Sequence, residues 1–310
     1  MSNNIKLKNV FTLKEVLEKA EQHIFAIGAF SPRYTPMIPS VLRAAQKTDS
    51  PVIVQISQKE LERYGITPAE FAGEFYRCIQ QEEISVPAAL HLDHTKEFSV
   101  IVDAIDAGFT SVMIDASEKD LAENIGISRE AVAYAHSKGI SAEAELGKIG
   151  TTDFVETDKD EELYTDPEEA LKFVSETKCD ALAVSVGTAH GVYNVKQPKI
   201  DISRLKAIRQ LTPVHLVLHG GSGIPSSMIK EAIHLPNGGI SKVNIATDLE
   251  LSLLAAIKRK DRMTNLECKA LSPAHLKLAQ DAVEETVIEK IEHFLGSAKQ
   301  AVSFQMKEGE

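Results

Sequence analysis

Residues 88–115 read AALHLDHTKEFSVIVDAIDAGFTSVMID, and their pattern decides the fold. Ala88 to Leu92 is a short apolar run of strand length that ends on Asp93 and His94. Phe98 to Ala107 then carries its apolar residues at spacings of three and four, the period of a helix lying on a core. Gly108 follows as a stop, and Ser111 to Ile114 opens a second apolar, β-branched run that ends on Asp115. A strand, a helix and a strand of this length form a parallel βαβ unit.

The same unit recurs along the chain. Further strand runs are expected at Ile24 to Ala29, Val52 to Ile56, Ser141 to Leu146, Ala181 to Val186, Val214 to Leu218 and Lys242 to Ile245. Helix patterns fall between them at Thr35 to Lys47, Pro68 to Gln81, Ser128 to Ser137, Pro167 to Thr177, Ile202 to Gln210 and Ser226 to Ile233. The strands are nearly continuous in apolar character, as sheets covered on both faces are. Eight such units predict a (β/α)8 TIM barrel, with a doubly wound open sheet as the alternative. The 310 residues suit one barrel domain over 1–310, and a helical tail of about 249–300 remains after the last strand.

Composition narrows the function. With 43% hydrophobic and 25% charged residues the chain is an ordinary globular protein. Its 34 basic against 45 acidic residues give a net charge of −11, which repels a nucleic-acid backbone. No apolar run reaches the roughly 18 residues of a membrane span, and the N-terminus has no signal-peptide pattern, so a cytoplasmic protein is expected. Cys78, Cys179 and Cys268 are widely spaced and read as core thiols.

On a barrel the chemistry sits where strands run into loops. Here the strand ends carry, in order, Asp93-His94, Asp115, Glu145, His190, His219 and Asn244. His94, His190 and His219 come from different strands and can converge on one ion, and three imidazoles with an open position favour Zn2+. His91 reads as a core histidine or a support for the metal site. The glycines of His219-Gly-Gly-Ser-Gly223 and Gly187-Thr-Ala-His-Gly191 suggest an anion cradle. In that reading Gly221 and Gly223 offer open amides, and Asn244 and Thr247 complete the site. The acidic stretch Asp153 to Asp166 reads as a mobile loop. A metal, an anion site and surplus carboxylates fit reversible carbon–carbon cleavage of a phosphorylated ketose; metal-dependent hydrolysis and isomerisation fit the same residues.

These motifs are similar to those of the class II, zinc-dependent ketose-bisphosphate aldolases. The stretches that match are Pro51-Val-Ile-Val-Gln55, His91-Leu-Asp-His94, Ser111 to Asp115, Glu143-Ala-Glu-Leu-Gly147, Gly187 to Tyr193, Leu218 to Ile224 and Lys242-Val-Asn-Ile-Ala-Thr247. The resemblance implies zinc on His94, His190 and His219, Asp93 as the residue that moves the aldehyde-oxygen proton, and Asp115 and Glu145 as nearby or alternative ligands. It implies a dihydroxyacetone phosphate site built from Gln55, Ser57, Gly191, Gly220, Gly221, Ser222, Asn244, Ala246 and Thr247. It also implies a zinc-stabilised enediolate, a monovalent cation (Na+ or K+) near the phosphate, a sugar-phosphate substrate and a homodimer or homotetramer.

Three departures concern specificity. Where the family has Gly-Gly-x-Glu, this chain has Gly150-Thr-Thr-Asp153, which makes Asp153 the expected proton-abstracting base and Glu156 its alternative. Where the family has an Asn after Ala-Phe, this chain has Ser31-Pro-Arg33. The tail Asp-Pro-Arg that clamps the far phosphate is replaced by Ser272-Pro-Ala274. Arg33 is therefore expected to read an acceptor-end anion. Fructose or tagatose 1,6-bisphosphate is the default substrate, and a sulfonated or acidic sugar such as 6-deoxy-6-sulfofructose 1-phosphate is the sharper expectation.

Overall fold

The computed structural model describes residues 7–151, 163–191 and 199–304, and the side chains of Thr151 and His190 are not described. Eight parallel strands close into a barrel in chain order: β1 Ile27–Phe30, β2 Val52–Ser57, β3 Ala88–Thr95, β4 Ser111–Ile114, β5 Ser141–Leu146, β6 Ala181–Val184, β7 His215–Leu218 and β8 Ile240–Ile245. β8 pairs with β1 through Ile27↔Lys242 to Phe30↔Ile245, which closes the sheet. A separate two-residue ladder pairs Gly150–Thr151 with Ala189–His190.

The βαβ reading of residues 88–115 holds, with helix α5 at Phe98–Ala107 and Gly108 in the left-handed region at φ 102°. That conformation costs glycine nothing and lets the chain turn back toward the sheet. Asp166 caps helix α7 (Pro167–Thr177) by accepting from the amides of Glu168 and Glu169, with Pro167 in the first turn. Some boundaries differ: Ile24 is not in β1 but ends helix α1 (Leu13–His23) at φ 58° and is 60% exposed, the helix expected from Ser128 begins at Leu121, and β6 ends at Val184.

Outside the tail, two helices have no counterpart in the sequence reading. α3 (Gln58–Tyr64) follows β2 directly through a capping box in which Ser57 and Glu60 satisfy each other's backbone. α1 packs its apolar stripe, Leu13, Val16, Leu17 and Ala20, against the inward-facing Ile27, Ala29, Ile53, Ala89 and Val217, so it stops the N-terminal mouth of the barrel. The tail forms α10 (Thr247–Ala256), α11 (Asn265–Lys269) and α12 (Pro273–Lys290). α12 packs on both α10 and α2 (Ile38–Lys47), and the Leu295 carbonyl accepts from the Ala26 amide, so the tail closes over its own barrel. The three cysteines are buried and unpaired. Among the described residues no helix is long and apolar enough to cross a membrane.

Candidate active site

Neighbouring residues of a strand point to opposite faces, so Asp93 and His94 should not both reach the barrel mouth. The sheet solves this locally. The β3–β4 register shifts between Leu92 and Thr95, and His94 adopts φ 30°, a conformation that a β-strand side chain adopts only under constraint. The irregularity turns His94 inward beside Asp93. Its Nδ1 lies 2.9 Å from Asp115 Oδ2 and 3.6 Å from Glu145 Oε2, and its ring packs edge-on against His219 with centroids 4.5 Å apart.

Asp93 is held from both sides: Oδ1 accepts from Asn244 Nδ2 at 3.1 Å and Oδ2 from Gln55 Nε2 at 3.3 Å. Gln55 Nε2 also lies 3.2 Å from Ser31 Oγ. Asp115 accepts on Oδ1 from the amide and hydroxyl of Ser117. His219 places Nδ1 3.4 Å from Glu145 Oε2 and Nε2 3.0 Å from Glu143 Oε1.

The charges follow from burial and neighbours. Burial opposes ionisation of Asp93, but His94, Lys242 and His219 outweigh it and hold the carboxyl below its ordinary value. Burial likewise resists a proton on His94, yet Asp93, Asp115 and Glu145 carry the imidazole up to about 10. Glu145 is raised, first by burial and then by the nearby Asp115.

A cavity of about 960 Å³ opens at the C-terminal ends of the strands. It includes Asp93, His94, Asp115, Glu145, Gln55 and Ser57 together with Gly191, Gly220, Ser222, Asn244, Ala246 and Thr247. Ligand atoms of Asp93, His94 and His219 lie within 4.8 Å of one another, as do those of His94, Asp115 and Glu145. Two imidazoles and three carboxylates facing one small space are a donor set that a divalent ion satisfies, so the residues fit a metal. His190, the third expected ligand, is placed by its backbone alone, on the ladder strand Ala189–His190; Asp153 and Glu156 lie outside the described residues, as does most of the Asp153–Asp166 stretch.

One expectation is corrected, and the surroundings of Arg33 are added to another. Gly221 does not offer an open amide, because its N–H donates to the Asn244 carbonyl at 2.9 Å. It is needed for close approach instead: a Cβ there would lie 2.5 Å from Val243 Cγ1. Arg33 lines the cavity but is buried at φ 64°, with Nε on Glu60 at 3.1 Å and Nη1 on Glu250. Its guanidinium is already matched by two carboxylates. Glu250 in turn meets Arg262 Nε at 2.9 Å, and Arg262, also on the cavity wall, was not singled out from sequence. Glu143 and Lys242 were quoted in motifs without a role; a lysine and a glutamate inside otherwise apolar barrel strands were the available signal.

A closed parallel barrel with acid/base and imidazole groups gathered at its C-terminal rim defines an enzyme of the TIM-barrel class. Comparison with known proteins makes this specific: the profile of the class-II fructose-bisphosphate aldolase family matches residues 11–300, and the chain belongs to that family. It is therefore an aldolase, a carbon–carbon lyase, and the hydrolase and isomerase readings give way. The fructose-bisphosphate aldolase of Geobacillus stearothermophilus is 36% identical, over 94% of this chain and 99% of that protein. The fructose-bisphosphate aldolase of Staphylococcus aureus strain Mu50 is 35% identical, over 91% and 96%. Among solved structures, the YdjI aldolase of Escherichia coli K12 is 32% identical with a TM-score of 0.78, covering 94% of this chain and 99% of that one.

Proposed function

We propose that the protein reversibly cleaves a ketose 1-phosphate or 1,6-bisphosphate to dihydroxyacetone phosphate and an aldehyde. The observation that carries this reading is the inward pairing of Asp93 and His94 at the β3 irregularity, opening on the 960 Å³ cavity. His94 and His219, with His190, would hold Zn2+, and Asp115 and Glu145 stand beside them. A divalent ion there acts as a Lewis acid toward the ketose carbonyl.

The protein's own groups then have definite tasks. Asp93, kept ionised with Lys242 among the charges that hold it so, takes the proton of the C4 hydroxyl in cleavage and returns it to the aldehyde oxygen in condensation. Asn244 and Gln55 fix its two oxygens, so the proton moves along one direction. The phosphate end belongs at the start of α10, a ten-residue helix whose N-cap, Ala246, supplies no side-chain hydrogen bond. Ser222 Oγ already meets the Asp248 amide there, 3.2 Å away, tying the glycine loop to that helix. Asp153 is the proposed base for the substrate carbon acid, with Glu156 as alternative.

The acceptor end supports a second reading. Arg33 and Arg262 are matched by Glu60 and Glu250, so this wall is charge-balanced and favours a singly charged terminus, a sulfonate or carboxylate, over a dianionic phosphate. A homo-oligomer is part of the same proposal, supported by the exposed Leu251, Leu266 and Leu278 on the tail helices.

A coupled assay for dihydroxyacetone phosphate tests both readings with fructose and tagatose 1,6-bisphosphates, 6-deoxy-6-sulfofructose 1-phosphate and a uronate analogue. Release from at least one substrate, lost on Asp93→Ala by a factor of about 10² to 10⁴, is expected. Cleavage undiminished in a folded Asp93→Ala protein would remove Asp93 from the mechanism. Faster cleavage of the sulfonate than of either bisphosphate selects the second reading, and the reverse order selects the first.

A further inference from the structure

Glu143 and Lys242 lie inside the barrel, both with side chains 0% exposed, and Lys242 Nζ donates to Glu143 Oε2 at 2.7 Å. A buried ion pair is a poor source of stability, because each charge loses its hydration and apolar residues of similar volume do as well. The same barrel shows the apolar alternative one layer down, at Ala89, Ala183 and Val217. Stability therefore does not account for the pair, but its third partner does.

Glu143 Oε1 lies 3.0 Å from Nε2 of His219, and His219 is also fully buried. A carboxylate paired with an ammonium can only accept hydrogen bonds, so Nε2 must carry the proton. In the neutral ring the other nitrogen, Nδ1, then keeps the lone pair. It lies 3.4 Å from Glu145, a carboxyl that burial pushes toward its protonated, donating form, on the side of the candidate metal site. His91 closes the cluster from the next strand pair. Its Nε2 lies 3.5 Å from Glu143 Oε2, and its Nδ1 lies 2.8 Å from Ser111 Oγ, which anchors the ring.

We infer that the Lys242–Glu143 pair is a positioning device that fixes the ring orientation and tautomer of His219, so that Nδ1 is presented to a divalent ion before the ion arrives. The inference rests on the metal reading above. Lys242 keeps Glu143 ionised and aimed; Glu143 keeps the proton on Nε2. Outer partners of this kind change metal affinity by about 10- to 100-fold when removed.

The test replaces the pair by apolar residues of similar length, Glu143→Met with Lys242→Met, so that no lone charge is left buried; Glu143→Gln is the conservative companion. Zn2+ affinity is measured by competition with a chromophoric chelator, and the His219 tautomer by ¹⁵N NMR of metal-free protein. The wild type should show Nε2–H at His219. The double variant should unfold at or above the wild-type temperature while binding Zn2+ about 10- to 100-fold more weakly, with Glu143→Gln in between. Wild-type affinity in the folded double variant, or a neutral wild-type His219 ring with its proton on Nδ1, overturns the inference. If the wild type binds no Zn2+, the metal reading fails, and the ¹⁵N signature alone then decides whether the pair sets the tautomer.

Discussion

Along strand β3, Ala89 and His91 point into the barrel two residues apart, and the same step separates Val217 from His219 at the end of β7. The lower residue of each pair joins Ile27, Ala29, Ile53 and the stopper helix α1 in an apolar plug. The upper residue belongs to the cluster of Asp93, Glu143, Glu145 and Lys242. A single sheet thus presents two interiors. The plug is held by burial, which has no preferred direction. The upper layer is held by hydrogen bonds and charges, which are directional and fix where each atom points. Stability and reactivity are expected to separate along the barrel axis.

The largest break in this comparison comes from the top. Removing the proposed ion with a chelator, or one of its proposed ligands with His94→Ala, should lower turnover by about 10³-fold or more, since several kcal/mol of charge stabilisation would be lost. Urea unfolding of the His94→Ala protein, by contrast, should differ little from that of chelator-treated wild type. A comparable collapse of stability in the variant would show that the upper layer also holds the barrel together.

The complementary break comes from below. Ile53→Ala opens a cavity in the plug and should cost about 2–5 kcal/mol of unfolding free energy. Turnover and Zn2+ affinity of the folded variant should stay near wild-type values, because Ile53 makes none of the hydrogen bonds or ion pairs that hold Asp93 and His94. If activity falls in step with stability, the two interiors are one cooperative unit and the division is wrong.

How much of this was legible beforehand follows the same division. The barrel strands declared themselves because apolar runs with glycine and proline punctuation are local signals, as at Gly108 and Asp166-Pro167. Asp93, His94, Asp115, Glu145, His219 and Asn244 were visible as strand-end residues, and the cavity brings all but His219 onto its wall, with His219 packed directly behind His94. What could not be read was long-range pairing. Arg33 looked like a free guanidinium because Glu250, its partner, lies 217 residues away. Gly221 looked like an open amide because the carbonyl that accepts its hydrogen bond belongs to the next strand. Lys242 and Glu143 are 99 residues apart, and only the closed barrel makes them neighbours. Helix α1 was missed because its role is set by the barrel mouth it stops.

The finest test of the comparison is the pH dependence of the base of the upper layer, where His91 sits against the plug. Burial, and then Lys242, oppose a proton on this ring more strongly than Glu143 and Asp93 favour one, so its pKa falls to about 3. In the unfolded chain the same ring takes its proton near 6.5. Between these values the unfolded state binds more protons than the folded state, so stability must fall as pH drops through that window. The slope for one group is at most about 1.4 kcal/mol per pH unit. Urea unfolding of chelator-treated protein at pH 7 and pH 5 spans this window; because Glu145, His94 and His219 are raised, the share of His91 is read as the difference between wild type and a variant. His91→Gln keeps a polar group of similar reach but cannot protonate, so the variant should lose less stability over the interval than the wild type. Equal losses would mean that His91 titrates in the folded barrel as it does in water, and that the layer above the plug is wetter than its burial implies.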